Sequence, residues 1–147
     1  MKALVSLANR LKRITVNELL LVLSQNKEFT DLIIELNTRK QLYDKGIDSL
    51  GDNIGSYSAK TKQIKAEKGQ ITDHVTLFDT GEFYKSFRIF FNGTDFVISA
   101  DTIKDTDDLI YKYGEEILGL TKESLSLLRE KAKEIIIPYV RKKLLTR

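Results

Sequence analysis

A capped turn followed by a hydrophobic hairpin, in the middle of the chain, constrains its fold most strongly. Asp79 and Glu82 have the three-residue spacing of a helix N-cap and its reciprocal partner, which predicts a short helix beginning at Asp79. From Phe87 onward, apolar residues alternate along the chain, and Asn92-Gly93 is a strong hairpin signal. Both faces of the predicted strand pair carry large apolar side chains. The hairpin therefore needs cover from the rest of the chain or from another subunit.

The segments around the hairpin have mostly helical patterns, and the length of the chain predicts one domain, residues 1–147. Thr15, Asn26, Asp107 and Thr121 have the positions of helix N-caps. Pro138 is expected to bend or end the last helix. The predicted segments are N-terminal helices in 1–45, an extended loop in 46–72, the capped turn and hairpin in 73–101, and C-terminal helices in 107–144.

Composition limits the classes of function. The 147 residues include 24 Lys and Arg, 21 Asp and Glu and no Cys, for a formal net charge of +3. This mild positive excess permits nucleic-acid binding without implying it, and a chain without Cys has no disulfide or cysteine nucleophile. No apolar run reaches the roughly 20 residues that span a bilayer, and polar residues interrupt the start too early for a signal peptide. We therefore expect a protein that stays in the cytoplasm where it is made.

The residue types needed for catalysis are poorly represented. His74 is the single histidine, so neither a histidine metal cluster nor a serine triad can be assembled. Asp105, Asp107 and Asp108 cluster, but the glycine turn and closing glutamate of a calcium loop do not follow them. The glycines and lysines after Gly51 do not have the order of a phosphate-binding loop. The sequence predicts no catalytic residues, no cofactor site and no metal site, and we expect no enzymatic activity.

A basic stretch gives the alternative hypothesis. Lys60, Lys62, Lys65 and Lys68 lie close together in the predicted loop, where they could contact phosphate groups of a nucleic acid. The stretch lacks the interleaved aromatic residues that stack on bases. A solvated loop or a subunit contact is therefore the preferred interpretation. The alternative is a small basic nucleic-acid-associated protein that binds through this stretch and the tail 141–147.

Four short pieces of the chain form a further pattern. They are Gly55-Ser56-Tyr57-Ser58-x-x-Thr61, Leu77-x-Asp79-Thr80-Gly81-x-Phe83-x-x-Ser86-Phe87, Tyr111-x-x-Gly114 and Ile117-Leu118-Gly119-Leu120-Thr121-x-Glu123. In this order they resemble the W-x-P-L-S-x-x-T, L-x-D-T-G-x-L-x-x-S-I, Y-x-x-x-x-x-F-G and R-P-F-L-G-L-S-x-E-D segments of one family. That family is the tailed-bacteriophage virion morphogenesis proteins, the tail-completion or minor tail proteins of the neck. The chain departs from it at Phe83, where leucine is usual, and at Glu116 and Ile117, which replace the arginine and proline.

The resemblance implies an α+β domain in which a small antiparallel β-sheet is packed by N-terminal helices and a long C-terminal helix. It also implies a structural virion protein, a ring-forming homo-oligomer that joins portal or adaptor proteins to tail proteins. Its location would be the virion neck or tail, and the host cytoplasm during assembly, with non-specific proximity to DNA and no membrane contact. The motif and expected interface residues are Tyr57, Ser58, Thr61, Leu77, Asp79, Thr80, Gly81, Phe83, Ser86, Gly114, Leu118, Gly119 and Leu120.

Overall fold

The computed structural model describes residues 1–146 and has the predicted α+β fold, with helices before and after a central hairpin in the sequence. Arg147, the last residue of the predicted basic tail, lies outside the described residues. The elements are α1 (Lys2–Lys12), α2 (Val16–Gln25), α3 (Lys27–Glu35), a π-helical segment (Leu36–Tyr43), α4 (Ala59–Glu67), α5 (Glu82–Lys85), β1 (Arg88–Asn92), β2 (Asp95–Ser99), β3 (Ile103–Lys104), β4 (Asp107–Asp108), α6 (Leu109–Tyr113), a 3-10 turn (Glu115–Ile117) and α7 (Lys122–Leu145).

The N-terminal helices begin at the predicted caps. The Thr15 side chain accepts a hydrogen bond from the backbone N–H of Glu18, and the Asn26 side chain accepts one from Phe29. From α3 the helix continues without a break through the π-helical segment and stops at Gly46, whose φ is +64°. The π-helical segment was not predicted. Its i→i+5 bonding turns side chains four and five residues apart toward the same side.

The hairpin pairs β1 with β2 as antiparallel strands, as predicted. Ile89 lies opposite Ile98 on the side that faces the core, and Phe90 lies opposite Val97 on the outer side. Because Asn92 pairs with Asp95, the two loop residues are Gly93 and Thr94, one position later than the predicted Asn92-Gly93 turn. Phe90 is 60% exposed and Val97 57% exposed. One face of the hairpin is thus covered within the chain, and the other remains open.

The core lies where the helices meet the hairpin. Ile33 and Leu42 of the long N-terminal helix, Phe87 before β1 and Ile117 before α7 are completely or almost completely buried. Leu128 of α7 joins the same apolar cluster. Helices that precede and follow the hairpin in the sequence therefore cover its inner face, and its outer face is left open.

The segment 46–72 is not the extended loop that the sequence predicts. It contains α4, and Ser58 begins this helix by accepting a hydrogen bond from the backbone N–H of Thr61. Ile64 is the single large apolar residue of α4, so the segment lacks the apolar stripe by which a helix is recognised. Ser58 is not among the predicted caps, so neither a cap nor an apolar pattern indicated this helix.

Two predicted helix starts are misplaced. Asp79 does not cap α5: the helix is one turn long, begins at Glu82, and has Gly81 at the N-cap position with φ +87°. A side chain at Asp79 is too far back to cap a helix that begins at Glu82, and its carboxylate is bound by lysines instead. The next helix, α6, is capped by Asp108 rather than Asp107. Asp107 instead belongs to a two-residue strand that pairs with Ile103–Lys104.

The last helix begins after its predicted cap, Thr121, and ends at Leu145, one residue beyond the predicted helical range 107–144. Of the two outcomes expected at Pro138, a bend or an end, the helix does not end there. Proline removes one helical hydrogen bond. Just beyond it, the Tyr139 hydroxyl donates to the carboxylate of Glu18 in α2, which anchors the last turns. Hydrogen bonds from Lys143 and Tyr139 also lower the pKa of Glu18.

Candidate functional site

Two tyrosine side chains from different segments meet at Thr76, which is buried. Its backbone N–H donates to the Tyr57 hydroxyl oxygen at 2.9 Å, and its carbonyl accepts a hydrogen bond from the Tyr84 hydroxyl. The Thr76 hydroxyl oxygen also accepts from the backbone N–H of Phe78 at 3.1 Å. Burial raises the pKa of Tyr84, so its phenol stays protonated and can keep donating. The network ties the segment before α4 to the segment that leads into α5.

Lys65 strengthens this connection from inside the fold. Only 8% of the residue is exposed, and its ammonium group lies 4.8 Å from the centre of the Tyr57 ring. Its Nζ donates to the Phe78 carbonyl at 2.6 Å and to the Gln70 side chain at 3.2 Å. Gln70 in turn donates to the Asp79 carbonyl at 2.9 Å. Lys65, which the alternative hypothesis assigns to phosphate contact, therefore holds the polypeptide around Asp79 in place.

Asp79 joins two elements across the surface. Lys68 of α4 lies 2.7 Å from one carboxylate oxygen, and Lys104 of β3 lies 3.0 Å from the other. The hydrogen bond from Lys68, followed by that from Lys104, lowers the pKa of Asp79 to about 2. The carboxylate is thus ionised at neutral pH and links α4 to the β3–β4 ribbon. It is an ion-pair centre rather than the predicted helix cap.

The turn around Asp79 contains unusual backbone conformations. Leu77 has φ +56°, which is strained for a bulky residue, and Gly81 has φ +87°. A Cβ atom at Gly81 would lie 3.2 Å from the Phe78 ring, closer than an ordinary contact. Ser86 ends the turn: its hydroxyl donates to the Phe83 carbonyl at 2.6 Å and accepts from the backbone N–H of Asp101 at 2.9 Å. Such strain persists only where surrounding contacts fix the backbone, and it is frequent at functional sites.

A cleft of about 380 Å³ lies between α4, this turn, the β3–β4 ribbon and α6. Apolar atoms of Ile64, Leu77, Phe83, Leu109 and Tyr113 line part of it. Eight of the expected interface residues line it as well, namely Tyr57, Thr61, Leu77, Asp79, Thr80, Gly81, Phe83 and Ser86. The first two sequence pieces, which are sixteen or more residues apart, thus form one surface.

Four other expected interface residues, Gly114, Leu118, Gly119 and Leu120, lie in a different region, around a clamp made by two buried amides. Ser58, the last of the expected residues, caps α4. The Asn37 side chain donates to the Ile117 carbonyl at 2.9 Å and accepts from the backbone N–H of Gly119 at 2.8 Å. Gln41 donates to the Gly119 carbonyl at 2.8 Å and accepts from Thr121 at 2.9 Å. Both amides lie on the π-helical segment, and together they fix the backbone of 117–121.

Close packing explains the glycine in this region. A Cβ atom at Gly119 would lie 2.8 Å from the Cβ of Ser49, so a larger residue requires the two segments to move apart. Gly114 ends α6 with φ +91°. Leu118 and Leu120, the other expected interface residues here, pack partly buried against the core. In this chain the 114–120 region therefore has a structural role.

Sequence reasoning missed most of the residues that build these two regions. None of Asn37, Gln41, Thr76 and Tyr84 is singled out by the sequence pattern. A polar pair with i, i+4 spacing on the inner side of an apolar helix is the signal that identifies the clamp. One ring nitrogen of His74 lies 2.6 Å from the Tyr43 carbonyl oxygen, so this histidine joins two segments of the fold.

No protein-family model, curated protein or solved structure matches this chain. Within residues 1–146, no group of three or more His, Cys, Asp or Glu side chains is arranged to hold a metal ion. Over the same residues, none of the helices has the length and apolar character needed to cross a membrane.

Proposed function

We propose that this protein is a structural, non-enzymatic subunit of the neck or tail-completion region of a tailed-bacteriophage virion. In this role it assembles in the host cytoplasm, associates with further copies in a ring, and joins portal or adaptor proteins to tail proteins. The observation that carries the proposal is the convergence of the two strongest sequence pieces on one cleft. The resemblance supplies the function, and the geometry supplies a reason to take the resemblance as more than chance.

The convergence matters because short matches have no physical reason to touch one another if they arise by chance. Here Tyr57 of the first piece is hydrogen-bonded to Thr76, directly before the second piece. Lys65, which lies between the pieces, binds the Phe78 carbonyl inside the second one. The two pieces therefore behave as parts of a single structural unit, which supports reading them as one signature.

Exposed apolar side chains favour an assembly role over that of an isolated subunit. Phe90 and Val97 form an uncovered pair on the outer face of the hairpin. Ile103 of the ribbon and Tyr111 of α6 are also largely exposed. Contiguous exposed apolar surface is typical of protein contacts. A subunit held between neighbours would cover such a surface.

The nucleic-acid alternative has less support in the geometry. Lys65 is buried and Lys68 is paired with Asp79, so half of the basic stretch is occupied by contacts within the chain. Lys60 and Lys62 are exposed and keep the alternative testable. We retain weak, non-specific DNA proximity as part of the proposal and do not propose sequence-specific recognition.

The test is inactivation of the gene in the phage or prophage that carries it. We expect DNA-filled heads and unattached tails in electron micrographs, together with loss of infectivity that a plasmid-borne wild-type copy restores. A plasmid copy with Asn17→Ala, a substitution at an exposed position of α2, is the control and should restore infectivity as the wild-type copy does. Mass spectrometry of purified virions should detect the protein. Infectious, fully tailed particles that form without the protein would contradict the proposal.

A further inference from the structure

Helix α1 has an apolar face that its own chain leaves largely exposed. None of its residues is buried, and Leu4, Leu7 and Leu11, which recur on one side, are 69%, 42% and 53% exposed. α1 contacts α7, where the Arg10 guanidinium donates to the Leu144 carbonyl at 2.8 Å. A helix of this length is marginal in water unless its apolar face is packed against something. The exposed part of the α1 face is therefore available to a partner.

α1 is also strongly basic. Residues 1–17 contain four basic side chains and no acidic one. The basic residues are Lys2, Arg10, Lys12 and Arg13. The partner of α1 should accordingly combine apolar contacts with negative charge.

The cleft described above offers this combination. Ile64, Leu109 and Tyr113 contribute apolar lining, and Glu82 and Asp107 lie in the same lining. Within residues 1–146, no ion pair involves Glu82, Asp107 or the neighbouring acidic residues Asp101, Asp105 and Asp108. The lining as a whole is balanced, with four acidic residues, Asp79, Glu82, Asp101 and Asp107, and four basic ones, Lys65, Lys68, Lys104 and Lys112. The excess of negative charge lies on the ribbon, where residues 101–108 contain four aspartates and one lysine, and that lysine is paired with Asp79.

α1 and the cleft lie toward opposite ends of α7. α1 is fastened near Leu144, whereas α6, which forms a wall of the cleft, ends eight residues before Thr121 caps the start of α7. The 24 residues of α7 span about 36 Å at 1.5 Å per residue. We propose that α1 of one copy docks into the cleft of the next copy, with its leucines on the apolar lining and its basic residues facing the ribbon carboxylates.

This contact joins two different surfaces, so it is heterologous: every copy has one free helix and one free cleft. Repetition of such a contact closes into a ring when the rotation between copies permits, and otherwise extends as a filament. The inference rests on the proposed function and gives its ring a specific contact. It does not depend on which portal or tail proteins are bound.

Two full-length variants test the contact. Leu7→Glu disables the helix at a residue that is 42% exposed, and Ile64→Arg disables the cleft at a residue that is 43% exposed. We expect wild-type protein to self-associate in sedimentation velocity, and either variant to weaken association at least tenfold. Asp107→Lys is a second cleft variant at the exposed ribbon. Leu21→Glu, at an exposed leucine of α2, is the matched control and should associate like wild type.

Mixing the variants gives the sharpest result. The helix variant has an intact cleft and the cleft variant has an intact helix, so an equimolar mixture should form dimers but nothing larger. Circular dichroism and thermal melts of each variant verify the fold. A mixture that remains monomeric, or a wild type that is monomeric at all concentrations, overturns the inference. So does association that Leu7→Glu leaves unchanged.

A lipid surface is the other possible partner of α1. If the protein stays monomeric, and wild type binds phosphatidylglycerol vesicles while Leu7→Glu does not, the docking contact is overturned and α1 is assigned to a lipid surface. The virion assay separates the two proposals. A monomeric protein that is found in the virion refutes the docking contact alone, whereas an associating protein that is absent from virions refutes the function alone.

Discussion

Removal of the Asn37 amide is the most informative test of the fold. Asn37 is completely buried and makes two hydrogen bonds to the 117–121 backbone, one as donor and one as acceptor. Asn37→Ala leaves the Ile117 carbonyl and the Gly119 N–H without these partners. An unpaired buried group costs about 1–3 kcal/mol. Water entering the vacated space would restore part of this, so we expect a loss of roughly 2–4 kcal/mol in the free energy of unfolding.

The assay is a pair of urea and thermal melts against a matched substitution. For a domain of this size, the expected loss lowers Tm by roughly 6–16 °C. Asn17→Ala makes the same chemical change at an exposed position of α2 and should alter stability by less than about 0.5 kcal/mol. If Asn37→Ala is as mild as Asn17→Ala, the amide does not hold the 117–121 segment, and the reasoning about the clamp is wrong.

Combining Gln41→Ala with Asn37→Ala tests whether the two amides stabilise the fold cooperatively. Both amides bind the same stretch of backbone, so release of that stretch by one substitution should reduce the cost of the other. We expect the double variant to lose less than the sum of the single losses by about 0.5–3 kcal/mol. Strict additivity would show that the two amides act on independent parts of the fold.

Three other sites are testable in the same way. Gly119→Ala should cost about 1–3 kcal/mol because of the contact with Ser49, and Ser49→Gly in the same chain should recover most of that loss in a urea melt. Asp79→Asn should cost about 0.5–1 kcal/mol at neutral pH, since the carboxylate is partly exposed. The pKa of Asp79 in the folded state is lowered to about 2, so this stabilisation is present above the unfolded pKa and is lost as the pH falls through about 2. The melting temperatures of wild type and Asp79→Asn should therefore differ at neutral pH and converge at acidic pH. Lys60→Glu combined with Lys62→Glu should weaken an already micromolar or poorer, salt-sensitive affinity for random duplex DNA in fluorescence anisotropy, and tight binding that resists salt would contradict the structural role.

The features that could be predicted from the sequence are those fixed by neighbours in the chain. The N-caps Thr15, Asn26 and Thr121 and the helix stop at Gly46 depend on hydrogen bonds within a few residues, so spacing alone identifies them. The hairpin could be predicted for the same reason, since alternation and a turn signal are both local. Its exact loop was one residue off because the cross-strand pairing of Asn92 with Asp95 decides it.

The features that could not be predicted depend on partners far away in sequence. Asp79 looked like a cap because Glu82 stands three residues later, but its carboxylate forms ion pairs with Lys68 and Lys104 instead. The Asn37 amide looked like an ordinary polar helix residue because its partners lie 80 and 82 positions along the chain. No window short enough to read by pattern contains both partners of either interaction.

These contacts bear on where a partner protein would bind. Gly119 is occupied by packing against Ser49 and by the two amides, and Asp79 is occupied by two lysines. The resemblance at these positions is thus explained by what the fold requires, without any contact to another protein. Partner recognition then falls to surfaces that the fold does not use. If the protein assembles as proposed, substitutions on the exposed α1 face and on the outer side of the hairpin should change assembly while leaving the melting temperature unchanged.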